Sequence, residues 1–165
     1  MKKDDTYREQ LELAKRESAA QLLMKCARLV NERALSRVKA KAPRGRATPR
    51  PAHTALFPHI ALEGSRVSEI AARAGISKQA VSQLVDDLEE LGLVERKSDP
   101  SDARARRVVW TARGKRGLLE GLSTLAALEA ELEAAVGAAQ WQGLAAGLQA
   151  LHEHLTAAAD TGDAG

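Results

Sequence analysis

Residues 66–116 carry the pattern that decides the fold: RVSEIAARAGISKQAVSQLVDDLEELGLVERKSDPSDARARRVVWTARGKR. The run opens with a short apolar stripe on a first helix, followed by Gly75 where a tight turn needs a residue with positive φ. Ser77 then occupies an N-cap position, and a second apolar stripe recurs after it at helical spacing. The two stripes are Ile70, Ala71 and Ala74, then Ala80, Val81, Leu84, Val85, Leu88 and Leu91. These signals predict a helix-turn-helix.

A basic hairpin follows the second helix. Gly92 has the position of a C-cap, and residues 93–96 begin an alternating strand. Residues 98–102 (SDPSD) have turn chemistry, residues 104–110 return as a second strand, and Thr111 caps the next helix. The predicted fold is therefore mainly α with a small β-wing, a winged helix-turn-helix core flanked by long N- and C-terminal helices.

The second helix leaves a polar face opposite its apolar stripe. The residues of this face, with the capping serine, can hydrogen-bond to base edges in the major groove of duplex DNA. They are Ser77, Lys78, Gln79, Ser82 and Gln83. On an isolated helix such residues are more often merely solvated, but the basic wing beside them favours DNA reading. We therefore predict them as DNA-binding residues.

The wing supplies the second predicted contact. Arg104, Arg106 and Arg107 lie on the hairpin, where guanidinium groups can reach the phosphate backbone or the narrow minor groove. Asp102 stands two residues before Arg104 and is expected to hold that arginine extended. The alternative is an ordinary charged hairpin whose polar residues serve the turn alone. We predict Asp102, Arg104 and Arg106 as DNA-binding residues.

Residues 50–116 resemble the winged-helix core of the MarR family of bacterial transcription regulators. The family's wing pattern, Asp-x-x-Asp-x-Arg and then Thr-x-x-Gly, occurs as residues 99–104 (DPSDAR) and 111–114 (TARG). The helix pattern occurs as residues 76–96 (ISKQAVSQLVDDLEELGLVER). Two positions depart from the family. Ala103 replaces the common Arg or Gly, which removes one expected contact, and Trp110 replaces the usual Leu, which changes packing.

The resemblance implies a sequence-specific transcription regulator that binds double-stranded DNA, typically as a repressor. Members of the family form homodimers through their first and last helices. The winged-helix core of each protomer, here called the reading head, then meets one half-site of a pseudo-palindromic operator. The two half-sites lie about one helical turn apart. The family also commonly binds small aromatic or phenolic effectors between the DNA-binding lobe and the dimer helices.

The length of 165 residues suits a single domain. We divide the expected domain, 1–165, into an N-terminal helix (6–40), a basic linker (41–51), the winged-helix core (52–110) and C-terminal dimerisation helices (111–158). Apolar residues repeat at helical spacing on the terminal helices. They either close onto the same chain or pack against a second copy, and the resemblance favours the homodimer.

Charge is informative by its location along the chain. Basic residues occur between positions 37 and 50 without any acidic residue, whereas no Lys or Arg follows Arg116. This distribution suits a protein whose N-terminal and central parts carry positive charge toward a polyanion. The linker 41–51 is rich in Pro and is either a solvated loop or a direct phosphate contact. The single Cys, the absence of a membrane-length apolar run and a start without a signal region predict a cytoplasmic protein with no membrane partner.

Three residues are candidates for an effector site. His53 and Phe57 lie four apart before the reading head, on a helix that Pro58 should kink or interrupt, and Trp110 is a third. Ordinary packing explains them equally well. We nevertheless hypothesise that a small aromatic or anionic effector bound near His53 and Phe57 releases the protein from DNA.

Cys26 offers a redox alternative, because one branch of the family senses peroxides through a Cys in its first helix. Here the residue lies among Leu22, Leu23 and Leu29, so we expect it to be buried and inert. No metal site is expected either. His152 and His154 are two apart and therefore point to different helix faces.

Two other classes of function compete with DNA binding. A winged helix that docks proteins without DNA would carry an acidic or apolar wing, and this wing is basic. An enzyme would need a Gly-rich phosphate loop, a nucleophile with its base, or metal-ligand spacing, and the sequence has none of them. We therefore expect neither catalysis nor a cofactor.

Overall fold

The computed structural model describes residues 2–161, so residue 1 and residues 162–165 of the expected domain lie outside the described residues. The helices are α1 (Lys2–Glu17), α2 (Ala19–Lys41), α3 (Pro51–Thr54), α4 (Val67–Ala74), α5 (Lys78–Glu90), α6 (Ala112–Val136) and α7 (Ala138–Thr161). The strands are β1 (Ser65–Arg66), β2 (Val94–Asp99) and β3 (Asp102–Trp110). Two compact units divide the chain after Thr124, within α6. The predicted fold class, mainly α with a small wing, is confirmed.

The helix-turn-helix of the first unit forms as its local signals require. Gly75 ends α4 with φ of 66°, and the Ser77 hydroxyl caps α5 by accepting a hydrogen bond from the Ala80 N–H at 3.2 Å. Gly92 follows α5 with φ of 67°. On the inner face of α5, Val81, Val85 and Leu88 are fully buried. They join a core cluster that also contains Leu56, Ile60, Ile70, Ala71, Leu93, Val94, Val108 and Trp110.

The wing is an antiparallel sheet with strand order β1-β3-β2. Val94 pairs with Trp110 and Lys97 with Arg107, and the register shifts between Ser98 and Asp99. The turn is tighter than predicted, because the strands extend as far as Asp99 and Asp102. Thr111 caps α6 as expected, since its hydroxyl accepts a hydrogen bond from the Gly114 N–H at 2.9 Å.

The predicted N-terminal helix 6–40 is wrong in one respect, because two helices occupy this region. They are separated at Ser18, which has extended φ and ψ and whose hydroxyl accepts from the Gln21 N–H at 3.2 Å. A serine that satisfies the first amide groups of a new helix competes with continuation of the old one. Gly137, with φ of 93°, separates α6 from α7.

The segment before the reading head is interrupted, as Pro58 led us to expect. Helix α3 ends at Thr54, and a short 3₁₀ turn covers Phe57–His59. Across residues 2–161, no helix combines the length and the apolar character that crossing a membrane requires.

Candidate nucleic-acid interface

The outer face of α5, here called the reading helix, presents the predicted DNA-binding residues to solvent. Lys78, Gln79 and Gln83 are exposed, and Ser82 is half-buried. They lie opposite the buried residues Val81 and Val85 because the helical repeat puts the two sets on different faces. The amide groups of the two glutamines each offer donors and an acceptor, as required for hydrogen bonding to base edges. Ser77 contributes differently, since its hydroxyl oxygen already serves as the N-cap.

Arg96 of β2 holds α5 from the side of the wing. Its guanidinium Nη1 donates to the Glu89 carboxylate and forms an ion pair with a carboxylate oxygen of Asp86 at 2.7 Å. Its Nη2 donates to the Ser82 carbonyl at 3.3 Å. The contacts with Ser82, Asp86 and Glu89 extend along two turns of the helix, so Arg96 orients the reading helix while its charge is used within the protein.

A second set of contacts holds α5 from the side of α3. The Asp87 carboxylate accepts from the guanidinium of Arg50 and lies 3.1 Å from His53 Nε2. His53 Nδ1 in turn accepts from the backbone N–H of Arg50 at 3.1 Å. The hydrogen bond from His53 and the nearby charge of Arg50 lower the pKa of Asp87. Asp87 therefore remains an anion that binds both partners.

Asp99 organises the base of the wing turn. Its buried carboxylate accepts from the backbone N–H and hydroxyl of Ser101, at 2.9 and 2.7 Å, and from Arg66 Nε at 2.6 Å. These hydrogen bonds hold the pKa of Asp99 far below its usual value, with the Ser101 hydroxyl as the largest cause. The same pairing raises the pKa of Arg66. β1 and the tip of the wing are thereby joined by a charged hydrogen bond.

The arginines of the wing divide into two groups. Arg104 and Arg106 are exposed, as a DNA contact requires. Arg107 is half-buried and donates from Nη2 to the Gly64 carbonyl at 2.6 Å, so it serves the fold. Asp102 also acts differently from our expectation. Its carboxylate accepts from the backbone N–H of Arg104 at 3.1 Å, which orders the main chain of the wing instead of the guanidinium.

The first unit contains a cavity of about 740 Å³ behind the reading head. Its apolar wall includes the rings of Phe57 and Trp110, which pack edge to face with centroids 5.3 Å apart. Trp110 is 5% exposed, and its indole N–H donates to the Ile60 carbonyl at 3.1 Å. Charged residues from the end of α2, the linker and α6 also line the cavity, four of them basic and one acidic: Lys41, Arg46, Arg113, Arg116 and Glu120. The cavity thus combines an aromatic wall with several positive charges.

The three effector candidates are therefore separated. Phe57 and Trp110 line the cavity, whereas His53 is not among its lining residues. His53 is 2% exposed, and its two ring nitrogens contact Arg50 and Asp87. Sequence reasoning missed the basic lining residues Arg113 and Arg116, and it treated the linker that carries Arg46 only as a loop or a phosphate contact. Their charge was visible, but their position beside the aromatic pair depends on the fold.

The expectation that Cys26 is buried is wrong, because its side chain is exposed. The neighbouring Leu22, Leu23 and Leu29 are also exposed, by 59%, 37% and 45%. An apolar sequence around a cysteine buries it only where another element covers that helix face, and no part of the described chain covers this one.

Comparisons with known proteins agree with this architecture. Residues 49–105 match the model of the MarR family. The transcriptional repressor CouR bound to a 23-mer DNA duplex is 25% identical, with a TM-score of 0.63 over 82% of this chain and 93% of that one. A MarR-like transcriptional regulator from Thermotoga maritima is 27% identical, with a TM-score of 0.56 over 84% and 97%.

A further structure resembles the chain at lower identity. CouR from Rhodococcus jostii RHA1 bound to p-coumaroyl-CoA is 24% identical, with a TM-score of 0.58 over 82% of this chain and 92% of that one. No curated protein matches by sequence alone. The family match coincides with the helix-turn-helix and most of the wing, and the structural matches extend over both units. Residues 49–105 therefore match the MarR family, and the chain has the winged-helix fold of transcription regulators in that family.

Proposed function

We propose that the protein is a repressor that binds a pseudo-palindromic operator in duplex DNA as a homodimer. The observation that carries this proposal is the exposure of Gln79 and Gln83 on α5 beside Arg104 and Arg106 on the wing. The first pair suits base edges in the major groove, and the second suits phosphates or the minor groove. The DNA-bound structure of CouR supports the same use of this fold. The proposal includes a location in the cytoplasm, where bacterial chromosomal DNA lies.

Exposed apolar residues on the terminal helices support the homodimer. Leu148 and Leu151 on α7 are 40% and 41% exposed in the single chain, and α1 and α2 expose further leucines. Soluble proteins seldom leave such stripes uncovered, so a second copy is the natural cover. Two copies related by a twofold axis present two reading helices, which is the arrangement that a pseudo-palindrome requires.

The cavity supports control by a small ligand. Its aromatic wall at Phe57 and Trp110 suits a planar apolar group, and the arginines from α6 and the linker suit an anionic group. We therefore propose an amphipathic anion as the effector, a class that includes the p-coumaroyl-CoA bound by CouR. To release DNA, such a ligand must bind the DNA-incompetent conformation more tightly than the competent one.

The proposal is tested by fluorescence anisotropy with DNA from upstream of the protein's own gene and with a random duplex. We expect binding at low salt that weakens about 10³-fold or more between about 50 and 200 mM salt, because phosphate contacts release counterions. Gln79→Ala and Gln83→Ala should each cost about 1–3 kcal/mol on the cognate site and much less on random DNA. Gln142→Ala, an exposed glutamine on α7, is the matched control.

No binding by the wild type to any genomic fragment at low salt would reject the DNA-binding function. Equal losses on cognate and random duplexes for the two α5 variants would instead show that the reading face is misassigned. Binding of a protein partner by the wing, in the absence of DNA binding, would favour the docking alternative.

Oxidation of the exposed Cys26 is the alternative to DNA release by a ligand. A solvent-exposed cysteine thiol can be oxidised by hydrogen peroxide to a sulfenic acid, with water as the other product. We expect peroxide to leave the DNA complex intact for both the wild type and Cys26→Ser. Release of the wild type together with retention of the serine variant would establish redox control in place of the ligand.

A further inference from the structure

One short stretch of chain connects the cavity to the reading helix. Arg46, Ala47, Thr48 and Pro49 line the cavity, and the next residue, Arg50, binds Asp87 of α5. The sequence separation between Arg50 and Asp87 is large, so this contact is a tertiary tie between the linker and α5.

The stretch is also stiff at the point where it meets α5. Arg50 lies between Pro49 and Pro51, whose rings fix their own φ angles and restrict the residue before each of them. Arg50 accordingly has φ of −100° and ψ of 166°, the extended conformation favoured before proline. A displacement of Thr48 and Pro49 is therefore passed to Arg50 instead of being absorbed by rotation of the backbone.

His53 adds a second, buried connection between the linker and α5. It is 2% exposed, and its Nδ1 accepts from the Arg50 N–H while its Nε2 lies 3.1 Å from Asp87. A ring nitrogen that accepts carries no proton, so Nε2 is the nitrogen that donates to Asp87. The imidazole thus links the backbone of the linker to the carboxylate on α5, in parallel with the guanidinium of Arg50.

The contacts of Arg96 connect α5 to a different part of the protein. Arg96 binds the adjacent residue Asp86 together with Glu89, and it belongs to the wing. Two neighbouring aspartates therefore connect the helix to two different parts of the protein: Asp86 to the wing, and Asp87 to the segment that directly follows the cavity-lining residues. A variant that breaks the contacts of Arg96 is therefore a matched control for a variant that breaks the contacts of Asp87.

We propose that Arg50 and His53 are positioning residues for the reading helix, which act through Asp87 and make the position of that helix depend on the linker segment that lines the cavity. The inference deepens the proposed function, on which its DNA-binding consequences rest. Leu91, which follows α5 and also lines the cavity, is a separate connection. The experiments must therefore distinguish effects near Asp87 from those near Leu91.

The positioning role is tested with His53→Ala, His53→Gln and Arg50→Gln, with Arg28→Gln as a control. Arg28 is an exposed arginine paired with Glu32 on α2. We expect His53→Ala and Arg50→Gln to reduce the ratio of cognate to random DNA affinity by about fivefold or more, the usual lower range for coupled sites. His53→Gln, whose amide can both donate and accept, should restore most of the ratio. An equal loss on both duplexes for Arg50→Gln, or a ratio unchanged in His53→Ala, would overturn the proposal.

The coupling to the cavity is tested without DNA, by amide NMR of the full chain. Ala47→Trp adds a large side chain to the lining segment, and its effect is recorded in three backgrounds: the wild type, Asp87→Asn and Arg96→Gln. We expect Ala47→Trp to shift the amide resonances of residues 83–88 in the wild type and in Arg96→Gln, but not in Asp87→Asn. Shifts that persist in Asp87→Asn, that arise only near Leu91, or that do not occur at all would overturn the coupling. Failure of the wild type to bind DNA would reject the proposed function, whereas these shifts decide the coupling in either case.

Discussion

Individual residues owe their roles here to what surrounds them. Gly75, Ser77 and Thr111 behave as predicted, because a turn or a cap involves only a few neighbouring residues. His53, Asp102 and Cys26 differ from prediction. His53 contacts the reading helix, Asp102 orders the backbone of the wing, and Cys26 is exposed. A long-range contact decides the role of His53, and the lack of a covering element leaves Cys26 exposed, whereas Asp102 forms a local hydrogen bond with the Arg104 backbone.

A stability prediction belongs to this scale. Gly114 lies on α6 where a Cβ would overlap the carbonyl oxygen of Leu93 and touch the ring of Trp110. Gly114→Ala should therefore destabilise the protein by about 1–3 kcal/mol, because the clash involves backbone that must shift. A Cβ added to Gly121, on the same helix, would meet no neighbouring atom within 4 Å. Gly121→Ala should stabilise the protein by up to about 1 kcal/mol through helix propensity.

Urea denaturation of the two variants and the wild type provides the measurement. The opposite signs are the critical result, since both variants make the same chemical change. Equal effects on the free energy of unfolding would show that the close approach to Leu93 is unimportant.

At the scale of elements, the wing depends on one charged anchor. Asp99 receives hydrogen bonds from Ser101 and Arg66, which join the turn to β1. The short strands thus gain an ordered tip that presents Arg104 and Arg106. Helix limits at this scale were predicted well where Gly or a cap intervened, as at Gly92 and Thr111, and less well at Ser18, which resembles many helix-interior serines.

The hydrogen-bonded carboxylate of Asp99 predicts that the free energy of unfolding depends on pH. The pKa of Asp99 is depressed in the folded protein, so its ionised form contributes stability that is fully present above the ordinary aspartate value. This contribution should be lost progressively as the pH falls below that value toward the lowered pKa. Ser101→Ala removes the hydroxyl hydrogen bond that lowers the pKa of Asp99 most, and it should make the variant's free energy of unfolding less dependent on pH in this acid range. Ser98→Ala, a change at an exposed serine on β2, is the control.

Urea midpoints measured between neutral and acidic pH check this expectation. A stability difference between Ser101→Ala and the wild type that stays constant with pH would contradict it. The difference should instead be largest at neutral pH and decrease as acid is added.

At the scale of the whole molecule, the exposed leucines of the terminal helices are the main feature that the single chain leaves unexplained. They occur on α1, α2 and α7, and α7 has no buried side chain among its described positions. The winged-helix core, by contrast, is well buried around Val81, Val85 and Leu88. The proposed homodimer would account for this contrast, because association would cover the terminal helices and leave the winged-helix core free.

The corresponding prediction concerns oligomeric state. Leu148→Asp and Leu151→Asp should convert a dimer into monomers, because burial of an unpaired carboxylate at an interface costs several kcal/mol. Since both positions are exposed in the single chain, the monomers should remain folded by circular dichroism. Leu62→Asp, at a leucine that is 68% exposed between the 3₁₀ turn and β1, should leave the dimer intact. A wild type that is monomeric at micromolar concentration by light scattering would contradict the dimer and the paired half-sites.

The sequence by itself determined the helix-turn-helix, the wing, the order of the flanking helices and the residues on the outer face of α5. These features follow from helical period, strand alternation, caps and turns, all of which act over a few residues. Only the tertiary structure decided that Arg50 and His53 meet Asp87, that Arg66 meets Asp99, and that aromatic and basic residues line one cavity. Those partners lie 33 to 37 residues apart along the chain, a separation at which local spacing carries no information about contact.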